Sequence, residues 1–201
     1  MAQVFMHPLP VRVIHWSNML SISLLTWSGA YIHSPVSLKA LGSMDDARFL
    51  HFVFMYIVTW GVIYRLLYAL LTGDHKDWFF RPKDIRDLPG LLKYYLFLSE
   101  HHPHYEKYNP GQKMLYTVWP VLLIIQALTG FILYLPGQLG WLAHILGGVA
   151  LLRKIHYMIT WVFVCTAAVH IYLVLLSGWK VLRSMVTGYI DEETLHELQD
   201  E

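Results

Sequence analysis

Long stretches without a charged side chain constrain this chain more than any other feature. Val13 to Leu38 is 26 consecutive residues without Asp, Glu, Lys or Arg, Met114 to Leu152 is 39, and Ile155 to Trp179 is 25. Phe49 to Leu71 is interrupted only by Arg65. A helix that crosses the hydrocarbon core of a bilayer needs about 20 mostly apolar residues. Four spans are therefore expected, at 13–32, 49–71, 114–135 and 155–177. The long third run contains Pro136-Gly137 and Gly140. Those residues are expected to break it, leaving Trp141 to Leu152 as an interfacial or re-entrant piece too short to cross.

Composition supports bilayer as the solvent. Apolar residues make up 56% of the 201 positions and charged residues only 14%, against about 25% charged in soluble domains. A formal charge of +1 excludes a nucleic-acid binder that relies on bulk positive charge. A single cysteine, Cys165, excludes an internal disulfide and a cysteine-ligated iron–sulfur cluster or zinc site. Arg12 before an apolar stretch matches the start of a cleavable signal peptide, but no small-residue cleavage site follows it. The segment is read as a retained helix.

Four crossings put both ends of the chain on one side of the membrane. That side collects Arg12, Arg65, Lys76, Arg81, Lys83, Arg86, Lys93, Lys107, Lys113, Lys180 and Arg183, and the other only Lys39, Arg48, Arg153 and Lys154. The excess assigns the termini to the cytoplasm. The 72–112 connection lies there too and contains Leu91 to Leu98, apolar and aromatic, expected along the interface. The expected fold is an all-α membrane protein, a four-helix bundle forming a single domain over 1–201. The acidic end from Asp191 is read as solvated.

Twelve histidines are the unusual remainder, and four fall inside or at the mouths of spans: His15, His51, His156 and His170. Ionisable groups within a membrane are costly and mark function by default. His156 and His170 are 14 residues apart, which returns to within about 40° of the same helix face and separates them by roughly 21 Å. The topology places His15 level with His170 and His51 level with His156. Two imidazoles facing each other between helices suit axial ligation of a haem iron, giving one haem on the cytoplasmic side and one on the periplasmic side. Arg12, Arg48 and Arg153 each precede a histidine by three residues, one turn nearer water, where they can pair with haem propionates. Arg65, 14 residues after His51, reaches the depth of the cytoplasmic-side haem.

Plainer readings remain open for each residue alone: an interfacial histidine can be an anchor, and an arginine before a span can be topology charge. His33, 18 residues from His15, is a rival to His51, but the roughly 27 Å between them fits the fourth helix poorly. The cluster His101-His102-Pro103-His104 could hold a surface metal. His7, His75, His144 and His196 are left out of the site.

Several motifs resemble those of the b-type cytochrome subunits of membrane-bound Ni/Fe hydrogenases and, more distantly, of respiratory formate dehydrogenase gamma subunits. Arg12-Val13-Ile14-His15-Trp16 with Ser28-Gly29 is similar to the first-helix signature, which usually has Thr before that glycine. Arg153-Lys154-Ile155-His156 with Trp161 and His170 is similar to the fourth-helix signature, with Tyr157 where Arg or His is usual and Thr166 where Phe is usual. Met185-Val186-Thr187-Gly188-Tyr189 is similar to the hydrogenase-type ending, and Tyr108-Asn109-Pro110-Gly111-Gln112-Lys113 to the motif before the third helix of the formate-type subunits.

The resemblance implies two haem b groups and electron transfer, in the inner membrane, between a periplasmic hydrogenase (iron–sulfur small subunit and large subunit) and menaquinone or ubiquinone. It also implies quinone binding at Asn109, Gly111 and Gln112, near His170. The plainer reading is that Asn109-Pro110-Gly111 only caps and turns into the third helix. Other functions consistent with the residues are a stand-alone diheme quinone oxidoreductase, the cytochrome of a formate dehydrogenase or a thiosulfate or polysulfide reductase, and a haem-free transporter or proton pathway.

Overall fold

The computed structural model describes residues 2–35, 42–99, 108–176 and 178–194. The His101–His104 cluster and His196 lie outside them. In chain order the elements are β1 (Gln3–Phe5), α1 (Leu9–His33), α2 (Met44–Thr72), α3 (His75–Trp78), α4 (Pro82–Tyr95), α5 (Pro110–Tyr134), α6 (Pro136–Ile145), α7 (Val149–Leu176), α8 (Trp179–Thr187) and β2 (Tyr189–Asp191).

Among the described residues α2, α5 and α7 are long and apolar enough to cross a membrane. They contain the expected spans at 49–71, 114–135 and 155–177 to within a residue at their C-terminal ends. The expected 13–32 span lies within α1, 25 residues long. Its Asn18, four serines and two histidines make it more polar than the other three.

Local chemistry explains where the helices start. Ser43 Oγ accepts the Asp46 N–H at 3.1 Å while Asp46 Oδ2 accepts the Ser43 N–H at 3.1 Å, a reciprocal cap on α2. Asn109 and Gln112 do the same for α5, with Gln112 N–H to Asn109 Oδ1 at 2.9 Å and Asn109 N–H to Gln112 Oε1 at 3.0 Å. Prolines at 82, 110 and 136 open α4, α5 and α6, where a missing N–H costs nothing.

The region after the third span differs in part from the expectation. The run does break beside Pro136: α5 ends at Tyr134, Leu135 is non-helical with φ −116° and ψ 59°, and Pro136, Gly137 and Gly140 lie within the ten-residue α6. A second interruption, not expected, is Gly147-Gly148, with φ of +92° and +93°, a conformation that other residues adopt only under strain. Gly148 N–H reaches back to the Ala143 carbonyl at 2.7 Å and ends α6. Val149 to Leu152, expected in the interfacial piece, are the first turn of α7. Ile132 of α5, Ala143 of α6 and buried Leu152 pack together. The Leu91–Leu98 segment also divides: 91–95 complete α4, and Phe97 at φ +58° ends it.

The described chain divides into two compact units. One comprises residues 13–65 and 122–172 and holds the four candidate ligand histidines. The other comprises 1–12, 66–121 and 173–201. In this second unit β1 and β2 pair antiparallel, Val4 opposite Ile190. The Met6 and His7 N–H groups bond the Gly188 carbonyl at 2.9 and 3.2 Å. Gly188 has φ +91°, and a Cβ there would stand 3.0 Å from the His7 carbonyl oxygen and 3.2 Å from the Arg12 guanidinium. Only glycine closes this turn without displacement.

The same unit contains a buried ion pair. Lys113 Nζ of α5 lies 3.3 Å from Asp84 Oδ1 of α4, with the residues 7% and 2% exposed. Asp84 Oδ2 also accepts the Arg81 N–H at 2.6 Å. One carboxylate thus caps α4 and ties it to α5. Removing one partner of a buried pair strands the other charge, so Asp84→Ala is expected to cost about 3 kcal/mol. The readout is a lower thermal midpoint of the detergent-purified protein, and adding Lys113→Met should recover part of the loss.

Candidate functional site

Three helices bring two imidazole pairs together. The rings of His15 (α1) and His170 (α7) have centroids 6.2 Å apart and planes at 63°. Those of His51 (α2) and His156 (α7) are 6.4 Å apart with planes at 57°. All four residues are partly buried. His15 is the seventh residue of α1, and His51 and His156 are each the eighth of their helices. The three therefore sit two turns inside rather than at the helix mouths.

The separations match one metal ion between two rings. A metal–imidazole bond of about 2 Å on each side, with about 1 Å from each nitrogen to its ring centre, gives roughly 6 Å between centroids. Face-to-face stacking would bring the centroids closer, as His33 demonstrates. It stacks on Tyr157 at 4.3 Å with planes only 20° apart. Edge-to-face packing, in contrast, spans a distance similar to that of the pairs, as Tyr157 and Trp161 do at 6.1 Å. The rival to His51 is occupied with a tyrosine, and His51 is the ring opposite His156.

The tautomer of the second pair follows from its hydrogen bonds. Ser28 Oγ of α1 stands 3.0 Å from His51 Nδ1 and donates its own proton to the Leu24 carbonyl at 2.6 Å. Thr129 Oγ1 of α5 stands 2.9 Å from His156 Nδ1 and donates to the Ile125 carbonyl at 2.8 Å. With its proton committed to the carbonyl, each hydroxyl oxygen accepts from the imidazole. Nδ1 then carries the hydrogen and Nε2 presents a lone pair, the state a metal requires. Two glycines leave room beside the rings. A Cβ at Gly29 would lie 3.2 Å from His51 Cε1, and one at Gly130 3.4 Å from His156 Cε1. These residues fit an iron porphyrin held between two imidazoles.

The arginines divide into different environments. Arg48 lies 3.9 Å from Asp45 in an exposed ion pair, and Arg153 is exposed. Arg65 is half-buried on α2. Arg12 donates through Nη1 to the Val186 carbonyl, while its buried Nε has no hydrogen-bond acceptor among the described residues. Its guanidinium is thus held at the turn after α8.

At the start of α5 the side-chain oxygens of Asn109 and Gln112 are spent on the reciprocal cap. Gly111 allows close packing: a Cβ there would meet Leu91 Cδ2 at 3.2 Å and Asn109 Oδ1 at 3.3 Å. Asn109 also bonds the Tyr95 phenol, whose pKa is raised chiefly by burial, further by Tyr94, and lowered in part by the Asn109 bond. Gln112 is exposed, and only its NH₂ group lies outside the cap.

Sequence reading attached Ser28 and Gly29 to a signature and missed Thr129 and Gly130. The available signal was the recurrence of a hydroxyl residue followed by glycine in another long apolar helix.

Comparison with known proteins finds relatives that match along most of the chain. Over 92% of its length the chain is 28% identical to a probable Ni/Fe-hydrogenase B-type cytochrome subunit of Cupriavidus necator, covering 86% of that protein. It is 27% identical, again over 92% of its length, to the corresponding protein of Azotobacter vinelandii, covering 88% of it. A putative protein-methionine-sulfoxide reductase subunit YedZ1 of Azospira oryzae is 25% identical over 91% of this chain and 96% of its own. Residues 6–188 match the family described as prokaryotic cytochrome b561. A family match over nearly the whole chain, on multi-pass apolar helices with facing histidines, makes this protein a member of the prokaryotic cytochrome b561 family.

Proposed function

We propose that this chain is the diheme membrane-anchor subunit of a Ni/Fe hydrogenase, transferring electrons between a periplasmic iron–sulfur subunit and membrane quinone. The observation that carries the reading is the two imidazole pairs, 6.2 and 6.4 Å between ring centres, on three helices of one unit. Haem b supplies a one-electron iron couple, and an iron with both axial positions taken by histidine is suited to electron transfer rather than oxygen binding.

In this reading α1 is the fourth crossing, the single domain spans 1–201, and both termini lie in the cytoplasm under the inner membrane. His15 and His170 hold the cytoplasmic-side haem; His51 and His156 hold the periplasmic-side haem. The roughly 21 Å of helix rise between His156 and His170 puts one site in each leaflet. Arg12, Arg48, Arg65 and Arg153 are propionate partners, and the buried Nε of Arg12 has a donor to give. A partner supplies the iron–sulfur chemistry that one cysteine cannot. The hydrogenase small and large subunits are assigned as that partner because relatives of nearly equal length are named as probable B-type cytochrome subunits of a Ni/Fe hydrogenase.

Asn109, Gly111 and Gln112 form the quinone site. A quinone carbonyl needs a donor, and the Gln112 NH₂ is the amide group that the helix cap leaves over. The Azospira relative supports a second reading, in which the same cytochrome serves a sulfoxide reductase. Affinity capture of the full chain from native membranes separates the two by the subunit recovered.

Haem quantitation tests the ligands. The wild-type chain should carry two haem b, His51→Ala one, and His33→Ala two; retention of both haems by His51→Ala overturns the assignment. For the quinone site, Gln112→Glu keeps the capping oxygen and removes the donor. Losing one hydrogen bond of about 1.4 kcal/mol should lower quinone affinity roughly tenfold with an unchanged thermal midpoint. Unaltered affinity would reduce the segment to a helix cap.

A further inference from the structure

Ser28-Gly29 of α1 stands to His51 as Thr129-Gly130 of α5 stands to His156, contact for contact. Each hydroxyl oxygen lies at hydrogen-bond distance from Nδ1, 3.0 and 2.9 Å. Each hydroxyl proton goes to the carbonyl four residues back, at 2.6 and 2.8 Å. The carbonyl three residues back, Leu25 or Gln126, lies within 3.3 or 3.1 Å of the same hydroxyl. The following glycine faces Cε1 of the ring, where a Cβ would stand at 3.2 or 3.4 Å. Ser28 is fully buried and Thr129 is 5% exposed, so water does not compete for either hydroxyl.

A serine or threonine bonded back to its own helix is ordinary. Packing alone does not require the same four contacts, in the same sequence offsets, on both histidines of one pair. We infer that Ser28 and Thr129 are positioning residues that fix the His51 and His156 imidazoles as Nδ1–H donors and thereby lower the reduction potential of the iron held between them. This inference rests on the proposal that His51 and His156 are haem ligands. An acceptor on Nδ1–H draws the proton outward and raises the electron density at Nε2. A more electron-rich ligand favours the ferric state. The hydroxyls also stop each ring from rotating about its Cβ–Cγ bond, and the adjacent glycines keep Cβ atoms away from the iron-facing edge.

The test is a redox titration of the full-length protein in membranes, followed at the α band. Ser28→Ala and Thr129→Val remove the hydroxyls; Ser28→Thr and Thr129→Ser keep them. Haem content should stay at two per chain in all four variants. Of the two titrating components, the one lost in His51→Ala should shift to more positive potential in both Ser28→Ala and Thr129→Val, and further in the double variant. The hydroxyl-keeping variants and the other component should not shift. Unshifted potentials in Ser28→Ala and Thr129→Val, with His51→Ala still losing one haem, would overturn the inference and leave the ligand assignment standing. So would equal shifts of both components. Two haems in His51→Ala would overturn the ligand assignment and this inference with it.

Discussion

A polar ring inside an apolar helix must have all its hydrogen-bonding and ligand capacity met within the protein, and this chain meets that demand by facing imidazoles in pairs. His15 faces His170 and His51 faces His156 at nearly equal separations. α7 carries one member of each pair, so its register sets where both sites lie. The remaining nitrogens of the second pair are answered by Ser28 and Thr129 from α1 and α5. Four helices are thereby committed to two sites before any general packing is considered.

Helix ends hold that register. The Ser43–Asp46 cap starts α2 seven residues before His51, and the Gly147-Gly148 interruption starts α7 seven residues before His156. In the other unit, Asp84 joins α4 to α5 through Lys113, while Gly188 lets the N-terminal strand and Arg12 close on the turn after α8.

Much of this was legible in the sequence because charge-free runs and 14-residue spacings are one-dimensional. They gave the long helices, and with topology they placed His51 rather than His33 opposite His156. The third run does divide beside Pro136, but its second division was missed for a local reason. Proline at the first position of a helix also starts one, and the later break belonged to the adjacent glycines with positive φ. Thr129 was hidden because a hydroxyl in an apolar helix ordinarily bonds its own backbone; its second bond depends on a helix distant in sequence. Asn109 and Gln112 were legible as cap or ligand, and the structure shows their oxygens capping and one exposed amide NH₂ outside the cap. The direction of the Arg12 side chain depends on Val186, 174 residues away, which no local pattern encodes.

The central proposal is that two irons would each be held between two histidines, whose ring planes here are far from parallel. Such rings leave two of the iron's d orbitals nearly equal in energy, which makes the low-spin ferric centre strongly anisotropic. Electron paramagnetic resonance of the oxidised full-length protein at liquid-helium temperature is the most direct measurement. The account predicts two low-spin ferric signals of equal weight, each dominated by a steep low-field feature, with planes at 63° and 57° as the cause. A dominant high-spin signal, or a single low-spin signal accounting for all the iron, would contradict it.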